Sequence, residues 1–349
     1  MKYILFIIII AFVGTGFSQK KGKGKEKDTT DTLPFVLYRN KLVLHTAISY
    51  KNAPFYLQDK FGTFKQLNYQ PNMNLIHGVG IAYKWFSLNI NYKLPSSLEK
   101  PSYYGKTKYF DARLQFSLKK WYFRIDMHNY KGFGIRNATV ISDSIPLTPK
   151  NVFVNDGLTT ASVGFNAFYF FDKTLNIKAA TGVVGRYTRK AYGFYLRSCL
   201  NFYSVSSMAG IVPYRYIKEP TAVQTAHTIG VIETGAVPGY AYLNNINGWQ
   251  FSIFGGLGGM IQGKYYIFKD PETGEDVNRG FMGLAPRIDL MIQGGYNVEK
   301  WFLMLTANFN QNNIDFNDFK YNQTYYNIGL RYGYRFTVKE KEKKKKGKK

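Results

Sequence analysis

The stretch LIHGVGIAYKWFSLNINYKL, Leu75–Leu94, decides the fold. Up to Trp85 every second residue is large: Leu75, His77, Val79, Ile81, Tyr83 and Trp85. From Phe86 the large set moves to even numbers: Phe86, Leu88, Ile90, Tyr92 and Leu94. Gly78, Gly80, Ala82, Ser87, Asn89 and Asn91 fill the gaps. Alternation with period two marks strands, and the change of parity around Lys84–Phe86 marks a tight turn between two of them. The large face meets either a protein core or lipid, and the rest of the chain chooses between these.

Segments of the same kind recur from Leu42 to Val338, with no helical period of any length. Lys108–Leu118 sets Phe110, Ala112, Leu114 and Phe116 against Asp111, Arg113 and Gln115; Trp121–Tyr130 sets Phe123, Ile125 and Met127 against Arg124, Asp126 and His128. Thr159–Phe171, Leu175–Tyr187, Tyr192–Tyr203, 223–243, Gln250–Gln262, Met282–Ile292, Trp301–Phe309 and Tyr325–Val338 continue the series. Short turns alternate with long connections at 95–107, 131–157, 263–280 and 310–324, the pattern of a membrane barrel with short periplasmic turns and long outer loops. Three features favour lipid over a soluble core. Opposite charges lie side by side on the polar faces, aromatic residues (Trp85, Phe86, Trp121, Tyr187, Trp249, Trp301, Phe336) stand at strand ends, and the last strand ends in alternating aromatics. A soluble β-sandwich or enclosed soluble barrel is the competing reading. The fold class is therefore all-β: a single transmembrane antiparallel up-and-down β-barrel. The segments number thirteen, which would put the two termini on opposite sides. A further strand at Met208–Ile217 restores an even count, so about fourteen strands are expected, with twelve as the alternative.

The ends and the composition set the location. MKYILFIIIIAFVGTGFSQ has the basic start, short apolar run and small-residue close of a signal peptide, expected over 1–18. A basic flexible linker is expected over 19–40, the barrel over 41–338 and a Lys-rich disordered tail over 339–349. No stretch reaches the ~18 apolar residues of a helical span. The formal charge of +25 gathers in the two tails, which suit an anionic surface, and export argues against nucleic acid as a partner. The one cysteine, Cys199, forbids an intrachain disulfide.

Chemistry is sparse. Of four histidines, His45, His77, His128 and His227, only His128 has an acid on its own strand face, Asp126, and a hydrolase built on that pair is the least favoured of three functions. GxSxG, HExxH and cysteine clusters are absent. DPETGEDVN (Asp270–Asn278) lacks calcium-loop spacing, and GGLGG (Gly255–Gly259) has no following helix. No catalysis, metal or cofactor is expected. What remains is a lumen charge network of Asp111, Arg113, Arg124, Asp126, His128, Arg186, Arg197, Arg287, Asp289, Arg331 and Arg335. It suits a pore or a small-solute, anion-biased binding and passage protein, or else a non-conducting structural or adhesion scaffold with a charge-plugged lumen.

Four pieces, YQPNMNLIHGVGIAYKWFSLNINYKLP (Tyr69–Pro95), HNYKGFG (His128–Gly134), SSMAGIVP (Ser206–Pro213) and VPGYAYLNNINGWQFSIFGGLGG (Val237–Gly259), resemble a family of signal-bearing outer-membrane barrels classed as a domain of unknown function, number 4421. The resemblance implies a barrel in the outer membrane of a Gram-negative cell, in contact with its lipid, and brings no catalytic residues. Met208, Ile211 and Val212 depart from the serine-rich stretch usual near 206.

Overall fold

The computed structural model describes residues 33–60, 64, 66–73, 75–94, 101–118 and 120–338. The expected signal peptide, most of the basic linker and the Lys-rich tail lie outside them.

The strands run β1 (Phe35–Leu37), β2 (Lys41–Asn52), β3 (Phe55–Asp59), β4 (Leu67–Gln70), β5 (Leu75–Tyr83), β6 (Phe86–Lys93), β7 (Lys108–Leu118), β8 (Trp121–Ile135), β9 (Phe153–Phe170), β10 (Gly185–Tyr187), β11 (Ala191–Ser206), β12 (Ala226–Ile246), β13 (Trp249–Lys269), β14 (Asp276–Asn297), β15 (Trp301–Asp315) and β16 (Phe319–Thr337). Two single-turn helices, α1 (Pro101–Tyr104) and α2 (Ile177–Ala180), sit in connections. β2, β5, β6, β7, β8, β9 and β11 to β16 pair in that order, each antiparallel to the next, and β16 returns to β2. This is a closed barrel: each ring strand has a neighbour on both sides, where a flat sheet would leave two edge strands open.

The sheet holds fourteen strands, of which twelve close the ring. The other two are β3 and β4, which bridge from β16 (Phe319–Gln323) to β8 (Gly134–Ile135) beyond the ends of β2, β5, β6 and β7. Met208–Ile217 is not a strand but a turn followed by a single 3-10 turn, Tyr214–Tyr216. Nor is Leu175–Tyr187 a wall strand. Removing it from the thirteen leaves an even twelve, so the parity that called for an extra strand came from this one segment. Most of 263–280 and 310–324 is strand rather than loop.

The opening stretch forms the hairpin β5–β6. Tyr83 pairs with Phe86, so opposed residues have opposite parity, and the outward set changes from odd to even. Leu75, Val79, Ile81, Ile90 and Tyr92 are exposed on the outer face. Gly78 and Gly80 face inward, where an added Cβ would meet Asn91 Oδ1 at 2.3 Å and the His45 ring at 2.1 Å. Glycine here makes room for lumen side chains. The same division holds around the ring. Leu44, Ile48, Phe110, Phe165, Phe194, Leu257, Ile261, Leu303, Leu305, Ile328 and Leu330 are exposed, whereas Ser49, Lys51, Asp111, Asn166, Glu233, Gln262 and Asp289 are buried inside. An apolar outer belt this continuous is what a bilayer covers.

The three-residue turn between β15 and β16 apart, both chain ends of the ring and the tight turns share one end of the barrel, here the turn end. There Asn247 (φ 51°) and Gly248 (φ 88°) make the left-handed pair of a two-residue hairpin. Trp85, Trp121, Trp249 and Trp301 stand at this end. The β6–β7, β8–β9 and β11–β12 connections mark the loop end.

Candidate functional site in the barrel lumen

Three tiers fill the lumen. The middle tier is charged. Asp111 on β7 accepts from Lys51 Nζ on β2 at 2.7 Å, from Asn91 Nδ2 on β6 at 2.9 Å and from Tyr109 OH at 2.7 Å. His128 Nδ1 lies 3.1 Å from the same carboxylate. His128 and Asp111 are directly opposed across β7–β8. Asp126, the acid that the strand face suggests for His128, instead accepts from Arg113 Nε at 2.5 Å, and Arg124 Nε lies 2.7 Å from its other oxygen. Across the lumen Arg197 donates to Asn166 Oδ1 at 2.9 Å and to Asp289. Arg287 donates to Asn312 at 2.5 Å, to Glu233 at 3.3 Å and to Asp289 at 3.3 Å. Glu233 also accepts from Asn201 at 2.8 Å, Tyr203 at 2.9 Å and Gln262 at 3.1 Å. Arg331 lies within electrostatic reach of Arg113, and its buried Nε has no hydrogen-bond partner.

Six cations (Lys51, Arg113, Arg124, Arg197, Arg287, Arg331) thus stand against four carboxylates (Asp111, Asp126, Asp289, Glu233) in this tier. Removing one member of a buried pair of this kind costs about 3–5 kcal/mol, because the other charge stays buried. Between the two groups lies a cavity of about 100 Å³, lined by Arg113, Arg124, His128, Arg197, Arg287 and several asparagines. That is room for several waters or for one small anion. Among the described residues no group of histidine, cysteine and acidic side chains is arranged to hold a metal ion.

The turn end is shut by a plug. The β9–β11 connection folds back into the barrel as α2 and β10. Asn176 caps α2, accepting from Lys178 N at 3.0 Å and Ala179 N at 3.3 Å. Gly182 (φ +74°) turns the chain after it. Arg335 of β16 donates to Val183 O at 3.1 Å, to Asn297 Oδ1 at 2.8 Å, and to Gly182 O and Val298 O. Gln250 Nε2 donates to Ala179 O and Ala180 O at 2.8 and 2.9 Å, and its Oε1 accepts from Tyr187 N at 2.9 Å. Val183 and Val184 pack on Val43, Ala82, Phe302 and Met304 of the wall. β1 pairs with β10, Phe35 opposite Tyr187, so the last part of the expected linker is a strand of the plug. Tyr187, expected at the lipid interface, is buried here. Lys178 donates to Lys84 O at 3.1 Å, and burial, with Arg39 adding repulsion, pushes its amine down to about 8.

The loop end is closed by apolar packing. Phe55, Leu57, Leu67, Tyr69, Phe133, Ile135, Phe316 and Phe319 form one cluster with Ile211, Val212 and Val223 of the β11–β12 connection. Phe55 stacks on Tyr69 with centroids 4.3 Å apart, Phe316 on Phe319 at 4.5 Å, and Tyr69 OH donates to Ile211 O at 3.0 Å.

Of the eleven residues singled out from sequence, Asp111, Arg113, Arg124, Asp126, His128, Arg197, Arg287, Asp289 and Arg331 lie in the middle tier, whereas Arg186 and Arg335 belong to the plug. His77 faces outward, between Thr46 Oγ1 and Tyr92 OH at 2.8 Å each. Lys51, Glu233 and Tyr203 were missed, as was Tyr325, whose OH lies 3.5 Å from the Asp111 carboxylate and 3.4 Å from His128 Nδ1. The signal for Glu233 was present: it is a lone acid in a long apolar strand. The cap Asn176 and the glycine at 182 were likewise a helix signature inside what reads as a strand.

The family model described as Domain of unknown function (DUF4421) matches residues 29–336. No curated protein matches the chain. Among solved structures it is similar to the outer membrane protease OmpT from Escherichia coli, with 10% identity over 88% of this chain and 100% of that one and a TM-score of 0.40. It is similar also to the P. putida toluene transporter TodX, at 8% identity over 86% and 91% with a TM-score of 0.29, and to a Pseudomonas aeruginosa FadL homologue, at 7% over 86% and 91% with 0.28.

Proposed function

We propose that this chain, which belongs to the DUF4421 family, is an outer-membrane barrel that is shut at rest and holds a small anion in its central chamber. The supporting observation is the middle tier itself: a cavity bordered by guanidinium groups, with two more cations than carboxylates, between two closures. An anion supplies the missing countercharge without water having to follow it. Of the expected pore or small-solute binding and passage protein, this reading keeps binding, with passage only when the closures open. The turn end faces the periplasm, as short turns and termini do in such barrels. A scaffold role is the second reading, favoured by how completely Asp111 and Glu233 are hydrogen-bonded.

The role is one of binding rather than catalysis. His128 is engaged by Asp111, and Asp126 is clamped by two arginines.

The test is a thermal-unfolding titration of the refolded, heat-modifiable barrel with inorganic phosphate at constant ionic strength. Saturable stabilisation that Arg197→Gln abolishes is the expected result. A midpoint indifferent to phosphate, sulfate and acetate alike would leave the scaffold reading in its place.

A further inference from the structure

The wall is not uniformly laddered. β13 and β14 pair along their whole length, Trp249–Lys269 with Asp276–Tyr296. β14 pairs with β15 only from Asp289 to Asn297, opposite Phe302–Asn310. Beyond Asn310, β15 continues on β16 alone and leans into the barrel. Its outer carbonyls are taken by side chains of β13: Gln262 Nε2 donates to Asn313 O at 3.2 Å, and Lys264 Nζ donates to Asp315 O. The edge of β14 from Asp276 to Ile288 is left without a ladder on that side. Pro286, which has no N–H to offer, lies within it, where an edge tolerates it.

The two sides of this seam differ sharply. Outside, Leu284 is 83% exposed and Met282 78%, with Ile288 beside them. Inside, Arg287 of β14 and Asn308, Asn310 and Asn312 of β15 line the charged cavity. Across the seam side chains stand in for backbone hydrogen bonds: Arg287 donates to Asn312 at 2.5 Å beside the cavity, and nearer the loop end Arg279 lies 3.5 Å from Asp318 and Phe281 packs edge-on against Phe316.

We propose that the β14–β15 seam is the entrance to the chamber, and that the ligand entering there is a single-chain amphiphile with a small anionic head, an alkyl phosphate or a fatty carboxylate. This rests on the chamber holding an anion, and adds the route and the tail. The head displaces Asn312 from Arg287 and meets Arg197 behind it. The hydrocarbon chain stays in the seam against Met282, Leu284 and Ile288. Charge complementarity selects the head: a cationic or zwitterionic one would bring a positive group to a tier already short of carboxylates.

The experiment uses the full barrel in phosphatidylcholine nanodiscs and follows thermal unfolding with dodecyl phosphate, dodecyl maltoside and inorganic phosphate as probes. Dodecyl phosphate is expected to act at least tenfold more tightly than inorganic phosphate, and dodecyl maltoside not at all. Arg287→Gln should erase the difference. In a Cys199→Ala background, Ile288→Cys with Gln311→Cys places thiols on the rung just past the last backbone pair. Oxidation should abolish the response to dodecyl phosphate, spare that to inorganic phosphate, and be reversed by reductant, which also shows that the locked barrel is folded. Equal responses to the two phosphates, or a dodecyl phosphate response that survives the lock, would overturn the seam while leaving the chamber standing. Silence from both phosphates would overturn the chamber as well. A disulfide forming between two barrels instead of within one would assign the free edge to a second copy and overturn the proposal.

Discussion

The two ends of this barrel are closed by different physics. At the turn end, charged and amide side chains of the wall (Arg335, Gln250, Asn297) hold main-chain carbonyls of a folded-back loop. At the loop end, stacked rings and aliphatic side chains make an ordinary apolar core. A polar closure is directional. It holds one loop in one place, and it opens as a unit when its central donor goes. An apolar closure is spread over many residues, so it loosens by degrees.

That difference can be broken on purpose. The largest effect is expected from Arg335→Ala, which strips the plug of a donor shared by several carbonyls. Wild-type protein in a planar bilayer should carry no steady current, and the variant should carry one once the loop end is opened as well, by Phe316→Ala in the same chain. A silent double variant that remains folded would mean that the plug stays seated without its staple. Phe316→Ala should lower stability by about 3–5 kcal/mol, measured by urea unfolding in vesicles, yet pass no current because the plug is intact. Current through that variant would erase the contrast between the ends. Tyr69→Phe removes a single hydrogen bond to Ile211 and should cost about 1 kcal/mol.

The last effect is a matter of pH. The Lys178 amine, held near 8 in the folded plug, binds a proton less readily there than in the unfolded chain, where its ordinary value is 10.5. The unfolded state therefore takes up more protons between these values, and stability rises as pH climbs from about 8 toward 10.5. Lys178→Met should remove that rise. A slope unchanged in the variant would assign the pH dependence elsewhere.

The wall was legible from sequence because a strand that separates lipid from a wet lumen must alternate, and residues such as Val79 and Ile81 against Gly78 and Gly80 record this directly. The lumen charges were legible for the same reason: Asp111, Arg124 and Arg287 sit on the small-residue face. What alternation could not show is depth. Leu175–Tyr187 carries apolar residues because it is swallowed by the barrel, and a buried segment and a lipid-facing one use the same side chains. Nor could it show which neighbour a charge meets. Asp126 and His128 share a strand face, but the partner of His128 is on the next strand, at a distance of 17 residues in sequence, and that register is set by the turn near residue 120 rather than by either residue.

The pairing of β1 with β10 gives the molecule a mechanical property. The chain ahead of Phe35 is tied first to the plug, through three rungs, and only then to the wall, where β2 is flanked on both sides by long ladders. Tyr38, the next link, lies under the Arg335 guanidinium at 4.7 Å. A pull on the amino-terminal arm is therefore spent on the weakest join, one rung at a time, and reaches the arginine staple before it loads the barrel. Tension along β1 would thus be relieved at the plug before it strained the cylinder.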